Sequence, residues 1–224
     1  MIDYNEHNLL IDIKDLTWWY PDSDKLLFHK FNFALYKNDF CILMWKSGVW
    51  KSTIVKFLVW QIKPPTRSVY HKREDISRYS EDEIQIFRRK MWIVFQDYKL
   101  LDDLSVKENI IQPLKLYWYS EFTTDKKFTE LSKKLHLDKI DDIPVKLLSW
   151  WEKQKVWLAR ALAHNPEFII ADEPTWNLDW EHTQEIADIL IEVNKAWNTV
   201  LLITHDIHLL NYIKSKHSTK IVVM

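Results

Sequence analysis

Glycine is almost absent: one residue in 224, where roughly 7% is usual. A chain this poor in glycine has few positions suited to positive φ or to close approach of backbone to a ligand. Cysteine is equally scarce. A single Cys, Cys41, excludes an intrachain disulfide and points to a reducing compartment. It lies in an apolar stretch and reads as a buried structural thiol. No apolar run reaches the ~20 residues of a membrane span, so any membrane role runs through a partner. No N-terminal stretch shows the pattern of a secretory signal. Neither sign of charge dominates: 31 Lys and Arg stand against 32 Asp and Glu. No overall field therefore points to nucleic acid.

One residue type is in excess. The chain has 13 Trp. Added to the lone glycine they come close to the ~16 glycines that average usage predicts for this length. Our reading is that most of these tryptophans stand where the gene encodes glycine. Some genetic codes read UGA as glycine, others as tryptophan. UGG codons at Trp45 and Trp50 would overturn this reading.

The stretch that organises the chain is Met44-Trp45-Lys46-Ser47-Gly48-Val49-Trp50-Lys51-Ser52-Thr53. An apolar run, Phe40 to Met44, reads as a buried strand before it. A second, Ile54 to Val59, reads as a helix after it. Strand, loop and helix are the context of a phosphate-binding loop, in which Lys reaches phosphate and Ser or Thr holds Mg²⁺. The two glycine positions of that motif are Trp45 and Trp50. Glycine is needed there so that backbone N–H groups can close on phosphate oxygens. An indole prevents it.

The length fits one large α/β unit, residues 1–224, with a helical insert at about 98–150. Strands are expected over Leu9–Leu16, broken by Trp18-Trp19-Tyr20-Pro21, and over Leu26–Tyr36, forming an antiparallel sheet beside the nucleotide core. Val69 and Tyr70 begin a short strand. Ser80 with Glu83, Ser105 with Glu108, and Ser149 with Glu152 read as capping boxes. They open helices running to Lys90, into the insert, and to His164. Within the insert, Val106–Leu116 and Lys126–Leu137 carry helical spacing. Met91–Phe95 is a β-rich run ending at Gln96, a residue able to reach a metal or water in a cleft. Phe168–Asp172 is a buried strand whose tip carries Asp172, suited to Mg²⁺, followed by Glu173, suited to polarising water. Helix is expected over Glu181–Lys195, and strands over Val200–Thr204 and Ile221–Val223. His205 follows one strand tip and would face the same crevice as Lys51 and Asp172. Tyr20 could stack on a base, or be an ordinary strand-end aromatic. The face with Lys126, Lys127, Lys133 and Lys134 reads as solvated surface.

In this order the motifs resemble those of the ATP-binding cassette (ABC) ATPases along nearly the whole chain. Trp45–Thr53 matches the phosphate loop and Gln96 the Q-loop. Leu148–Glu152 matches the LSGGE signature with Trp150 and Trp151 for its glycines. Ile170–Glu173 matches Walker B. Asn177-Leu178-Asp179 matches the D-loop, and His205 the switch histidine. Tyr20 falls at the adenine-stacking aromatic. Trp45, Trp50, Trp60, Trp92, Trp150, Trp151 and Trp176 occupy positions usually held by glycine. Trp118, Trp157, Trp180 and Trp197 fit glycine too; Trp18 and Trp19 are not assigned.

The resemblance implies a P-loop NTPase fold: a RecA-like core, an antiparallel β subdomain and a helical insert. It implies Mg²⁺-dependent ATP hydrolysis, with Ser52, Gln96 and Asp172 at the metal and Glu173, His205 and Gln96 at the water. Ser149, Trp150, Trp151 and Asp179 would meet nucleotide across a head-to-tail homodimer. Phe95–Leu101, Arg88-Arg89-Lys90 and His205-Asp206-Ile207 look like the cell-division (FtsE) branch, with lipoprotein-release and macrolide-type exporter ATPases as its relatives. That branch implies an FtsX-like integral membrane partner and a cytoplasmic location on the inner face of the membrane. If the tryptophans are real, the alternative is a non-catalytic scaffold docked on a membrane protein.

Overall fold

The computed structural model describes residues 8–20, 26–44, 49–94, 100–176, 178–196 and 198–223, with backbone alone at 49–52 and 94. The chain opens on two long strands, β1 (Leu9–Trp19) and β2 (Leu26–Tyr36), paired antiparallel. β1 does not stop at Leu16 as its sequence pattern implies. Leu16 and Trp18 pair with Phe31 and Phe28 across register shifts. Bulges absorb the irregular alternation that makes the strand look broken.

A turn leads to β3 (Phe40–Met44) and then to helix α1 (Val49–Leu58). The short strands β4 (Val69–His71) and β5 (Glu74–Asp75) return to β1, giving a four-stranded antiparallel sheet in the order β2-β1-β4-β5. Next come α2 (Glu81–Arg89), β6 (Met91–Val94), α3 (Val106–Leu116) and α4 (Glu121–Lys134). α5 (Trp150–Leu162), β7 (Phe168–Asp172), α6 (Trp180–Lys195), β8 (Thr199–Thr204), α7 (Ile207–Lys216) and β9 (Lys220–Val223) complete the chain. All three expected capping boxes form, with the serine hydroxyl accepting from the N3 backbone and the glutamate accepting from the serine backbone. α4 starts earlier than its apolar spacing implies, because Ser120 caps it by accepting the Thr123 N–H. α7 has no counterpart among the helices expected from the sequence. Asp206 caps it through the N–H groups of His208 and Leu209.

The second sheet is parallel, in the order β6-β7-β8-β3-β9. Its strands are apolar on both faces, as a sheet covered on both sides must be. Alternation then sorts each strand between two cores. Cys41, Leu43, Ile170, Leu201 and Ile203 pack toward α1 and the antiparallel sheet. Phe40, Ile42, Ala171, Val200 and Leu202 pack toward α3, α5, α6 and α7. Each fully buried Leu or Ile contributes ~1.5–3 kcal/mol, which holds the strand tips in register. Among the described residues no helix is long and apolar enough to cross a membrane.

One buried titratable group joins the layers. His71 ends β4, lies 4.7 Å from the Phe87 ring of α2 and 3.4 Å from the Tyr79 hydroxyl. Burial pushes its pKa down to about 4, with Lys90 and Lys72 adding to the shift. The unfolded chain, with an ordinary histidine near ~6.5, binds this proton first. Stability is therefore full above ~6.5 and falls as pH drops toward 4. We expect denaturant midpoints to decline over that window. His71→Phe, which removes the titrating ring, should flatten the decline; an unchanged slope in the variant would show that other groups carry it.

Candidate active site

The parallel register brings three strand tips together. Met44 of β3 lies beside Thr204 of β8, and Ile203 of β8 beside Asp172 of β7. Because the strands run the same way, their carboxyl ends form one edge, the place where open α/β sheets bind ligands. α1 begins at Val49, shortly after β3 ends at Met44. Its N-terminus, carrying Val49, Trp50, Lys51 and Ser52 in the first turn, brings free N–H groups and a positive dipole end to the same edge. Trp45, Lys46, Ser47 and Gly48 lie outside the described residues, as do Gln96 and Asn177. Thr53 is buried, and its hydroxyl sits 2.8 Å from the Tyr20 hydroxyl. Tyr20, just past the end of β1, is thereby tied to the helix that follows the phosphate-loop sequence.

Glu173 is the best-defined group at this edge. It is 9% exposed. Its Oε1 is 2.6 Å from His205 Nδ1, and its Oε2 accepts the Thr204 hydroxyl at 3.1 Å. Its backbone is left-handed, at φ 48°, and its N–H donates to the Ile203 carbonyl at 2.9 Å. A non-glycine residue in that region costs on the order of 1–3 kcal/mol and persists where its surroundings over-determine it. Here a backbone bond and two side-chain bonds do so. The carboxylate is fixed by two groups from β8 and its end. The His205 side chain is 52% exposed, so the pair opens onto solvent on one side. A cleft of ≈ 340 Å³ begins there, lined by Glu173, Thr175, Trp176, His205 and Asp206 among others. The Trp176 ring stands 5.9 Å from the imidazole. A buried, oriented carboxylate next to a histidine at the mouth of a cleft can polarise water. Asp172, at the end of β7 and partly exposed, supplies a hard oxygen donor of the kind Mg²⁺ takes.

Ser149 caps α5 and keeps its hydroxyl and N–H on Glu152. Trp150 at the first helical position is exposed. Trp151 is wedged between elements: Lys155 Nζ lies 3.5 Å from its ring centroid, and the His182 ring 4.9 Å. Asp179 caps α6, accepting the His182 N–H at 2.9 Å with His182 Nδ1 at 2.7 Å. The bonded His182 N–H and ring hold the Asp179 carboxyl below the usual range. His182 thus links the α6 cap to the start of α5. Sequence reasoning does not single it out, nor Thr204 as the second anchor of Glu173. A hydroxyl at the end of an otherwise apolar strand is the available signal for Thr204.

This arrangement is that of a known family. The ABC transporter family model matches residues 28–176. The cell-division ATP-binding protein FtsE of Bacillus subtilis is 32% identical over 92% of this chain and 90% of its own length. The chain belongs to the ABC transporter ATP-binding family. Members of the family are ATPases that bind ATP, form dimers and pair with membrane components, and this ABC chain is such an ATPase. The methionine import protein MetN of Bacillus licheniformis is 38% identical over 76% of the chain, which spans 51% of MetN. Among solved structures, the dimeric ATP-binding cassette MJ0796 in a post-hydrolysis state bound to ADP and Pi aligns at a TM-score of 0.82 and 28% identity. That alignment covers 96% of this chain and 94% of that one. The parallel core, the antiparallel sheet and the helices expected for an ABC cassette are all present.

Proposed function

We propose that this ABC chain is the ATP-hydrolysing subunit of a cell-division membrane complex of the FtsE–FtsX type. The observation that carries the hydrolytic role is the Glu173 carboxylate, held between His205 and Thr204. Similarity to FtsE from both Bacillus subtilis and Haemophilus influenzae, over at least 90% of each chain, supports the division branch.

In this reading Lys51 and the N–H groups of the phosphate loop hold the β- and γ-phosphates, and Tyr20 meets the base. Ser52, Gln96 and Asp172 would hold Mg²⁺, which neutralises charge developing on the phosphates. Glu173 orients the attacking water and draws its proton, and His205 keeps the carboxylate aimed. Ser149 and the N–H groups after it face the γ-phosphate of a second subunit, with Asp179 at the same junction. α3, α4 and the start of α5 make the helical subdomain. The membrane partner docks near residues 98–106. Leu101 and Leu147 are exposed there, on segments joined by Lys146 N–H to Asp102 C=O and Val145 N–H to Leu104 C=O. The protein then sits peripherally on the inner face of the membrane.

Purification of the native protein from solubilised membranes tests the assignment. An FtsX-like membrane protein should accompany it. A methionine permease would move the chain to the importer branch, which the MetN relatives favour. An exporter permease would move it to the lipoprotein-release or macrolide type. Lys51→Ala in the same preparation should sharply weaken ATP binding; unchanged binding would refute the loop assignment.

A further inference from the structure

Three helices end in the same way, α1 and α3 on a tryptophan and α4 on a histidine. At the close of α1, the Trp60 N–H reaches the Phe57 carbonyl (3.1 Å) and the Gln61 N–H reaches the Lys56 carbonyl (2.8 Å). At the close of α3, Trp118 reaches Lys115 (3.2 Å) and Tyr119 reaches Leu114 (3.1 Å). These paired bonds are the Schellman motif. Its C′ residue turns left-handed and is most often glycine. Here the C′ residues are Trp60, at φ 58°, and Trp118, at φ 59°. A Cβ in that region crowds the backbone, and a bulky residue there is an outlier.

Left-handed residues are not confined to tryptophan in this chain. α4 closes through His136 at φ 54°. Position 118 puts a side chain as bulky as tryptophan on such a backbone and leaves it almost wholly in solvent: it is 93% exposed. Trp60 recovers one bond, from its indole N–H to the Ile76 carbonyl at 2.9 Å.

A second observation is independent of backbone angle. Among the described residues, the indole N–H groups of Trp18 and Trp92 are buried without an acceptor. Buried tryptophan normally finds one. Trp19, Trp150, Trp176 and Trp180 are exposed instead. Two left-handed helix ends, two orphaned indole donors and an indole at 118 left almost wholly in solvent describe positions that glycine would fill at lower cost.

We infer that the native polypeptide carries glycine at positions 60 and 118, and that the same codon supplies glycine at 45, 50, 150 and 151. The inference rests on helix C-termini, at the opposite end of α1 from the phosphate loop, so it stands apart from the ATPase reading. Peptide mass mapping of the protein from its native source tests it. Peptides spanning 60 and 118 should be lighter than the sequence by the Trp-to-Gly difference, and the intact chain should fall below 27.3 kDa. Peptides carrying tryptophan at both positions would overturn the inference. If glycine is found and ATP is not hydrolysed, the inference stands and the ATPase reading fails. On the chain with tryptophan, Trp118→Gly should raise Tm by ~2–4 °C, the shift that ~1 kcal/mol gives a chain of this size. Trp118→Ala keeps the Cβ and should not; equal gains from Gly and Ala would remove the steric argument.

Discussion

Glu173→Gln is expected to stop ATP turnover while leaving nucleotide bound. The amide keeps the shape of the carboxylate, so the anchoring by Thr204 and His205 is largely preserved. It cannot accept a proton from water. Loss of a positioned general base typically costs ~10²–10⁴-fold in rate. ATP, no longer consumed, should hold two subunits together, visible as a dimer by size-exclusion chromatography. His205→Ala should lower turnover less steeply, because Thr204 still restrains one carboxylate oxygen at 3.1 Å. Phosphate release measured across Glu173→Gln, His205→Ala and the double variant separates the roles. If the variants act through one unit, the double loss will match Glu173→Gln alone. Turnover at the normal rate in Glu173→Gln would remove Glu173 from the chemistry.

Much of this architecture is legible in the amino-acid sequence. The parallel strands stand out as short apolar runs, and the capping boxes fix three helix starts to the residue. Asp172, Glu173 and His205 can be placed because strand tips in such a sheet share one edge. What the sequence pattern hides has physical causes. β1 runs past Leu16 because bulges let it bend without breaking its pairing. α7 is hidden because Asp206 reads as a mere neighbour of His205, although its carboxylate starts the helix. The left-handed backbone of Glu173 cannot be inferred, since nothing in a Glu codes for positive φ; tertiary bonds impose it. His182, beside the Asp179 cap of α6, meets Trp151 in the first turn of α5, a contact between residues far apart in the chain. Residues 45–48 and 95–99, where the phosphate-loop and Q-loop motifs fall, rest on sequence alone.

The largest effect expected concerns the tryptophans at the nucleotide itself. A phosphate loop binds by pointing successive backbone N–H groups at one anion, which needs glycine where the chain turns closely around it. A hydrogen bond to a charged group is worth ~1.5–3 kcal/mol. If indoles at 45 and 50 prevent two such bonds, the loss is ~3–6 kcal/mol, or ~10²–10⁴-fold in affinity. Calorimetry with ATP and Mg²⁺ should show weak or no binding by the chain carrying tryptophan. The chain with glycine at 45, 50, 150 and 151 should bind at least ~100-fold more tightly on the same arithmetic. Adding Trp150→Gly and Trp151→Gly should matter for ATP-dependent dimerisation more than for binding to one subunit, because in the proposed dimer those positions would face the partner's nucleotide. Equal binding by both chains would show that the loop tolerates indoles and that the steric argument is wrong. Binding by neither would leave a scaffold that docks on a membrane protein without turning over ATP, since a phosphate loop that holds no nucleotide gives Glu173 nothing to act upon.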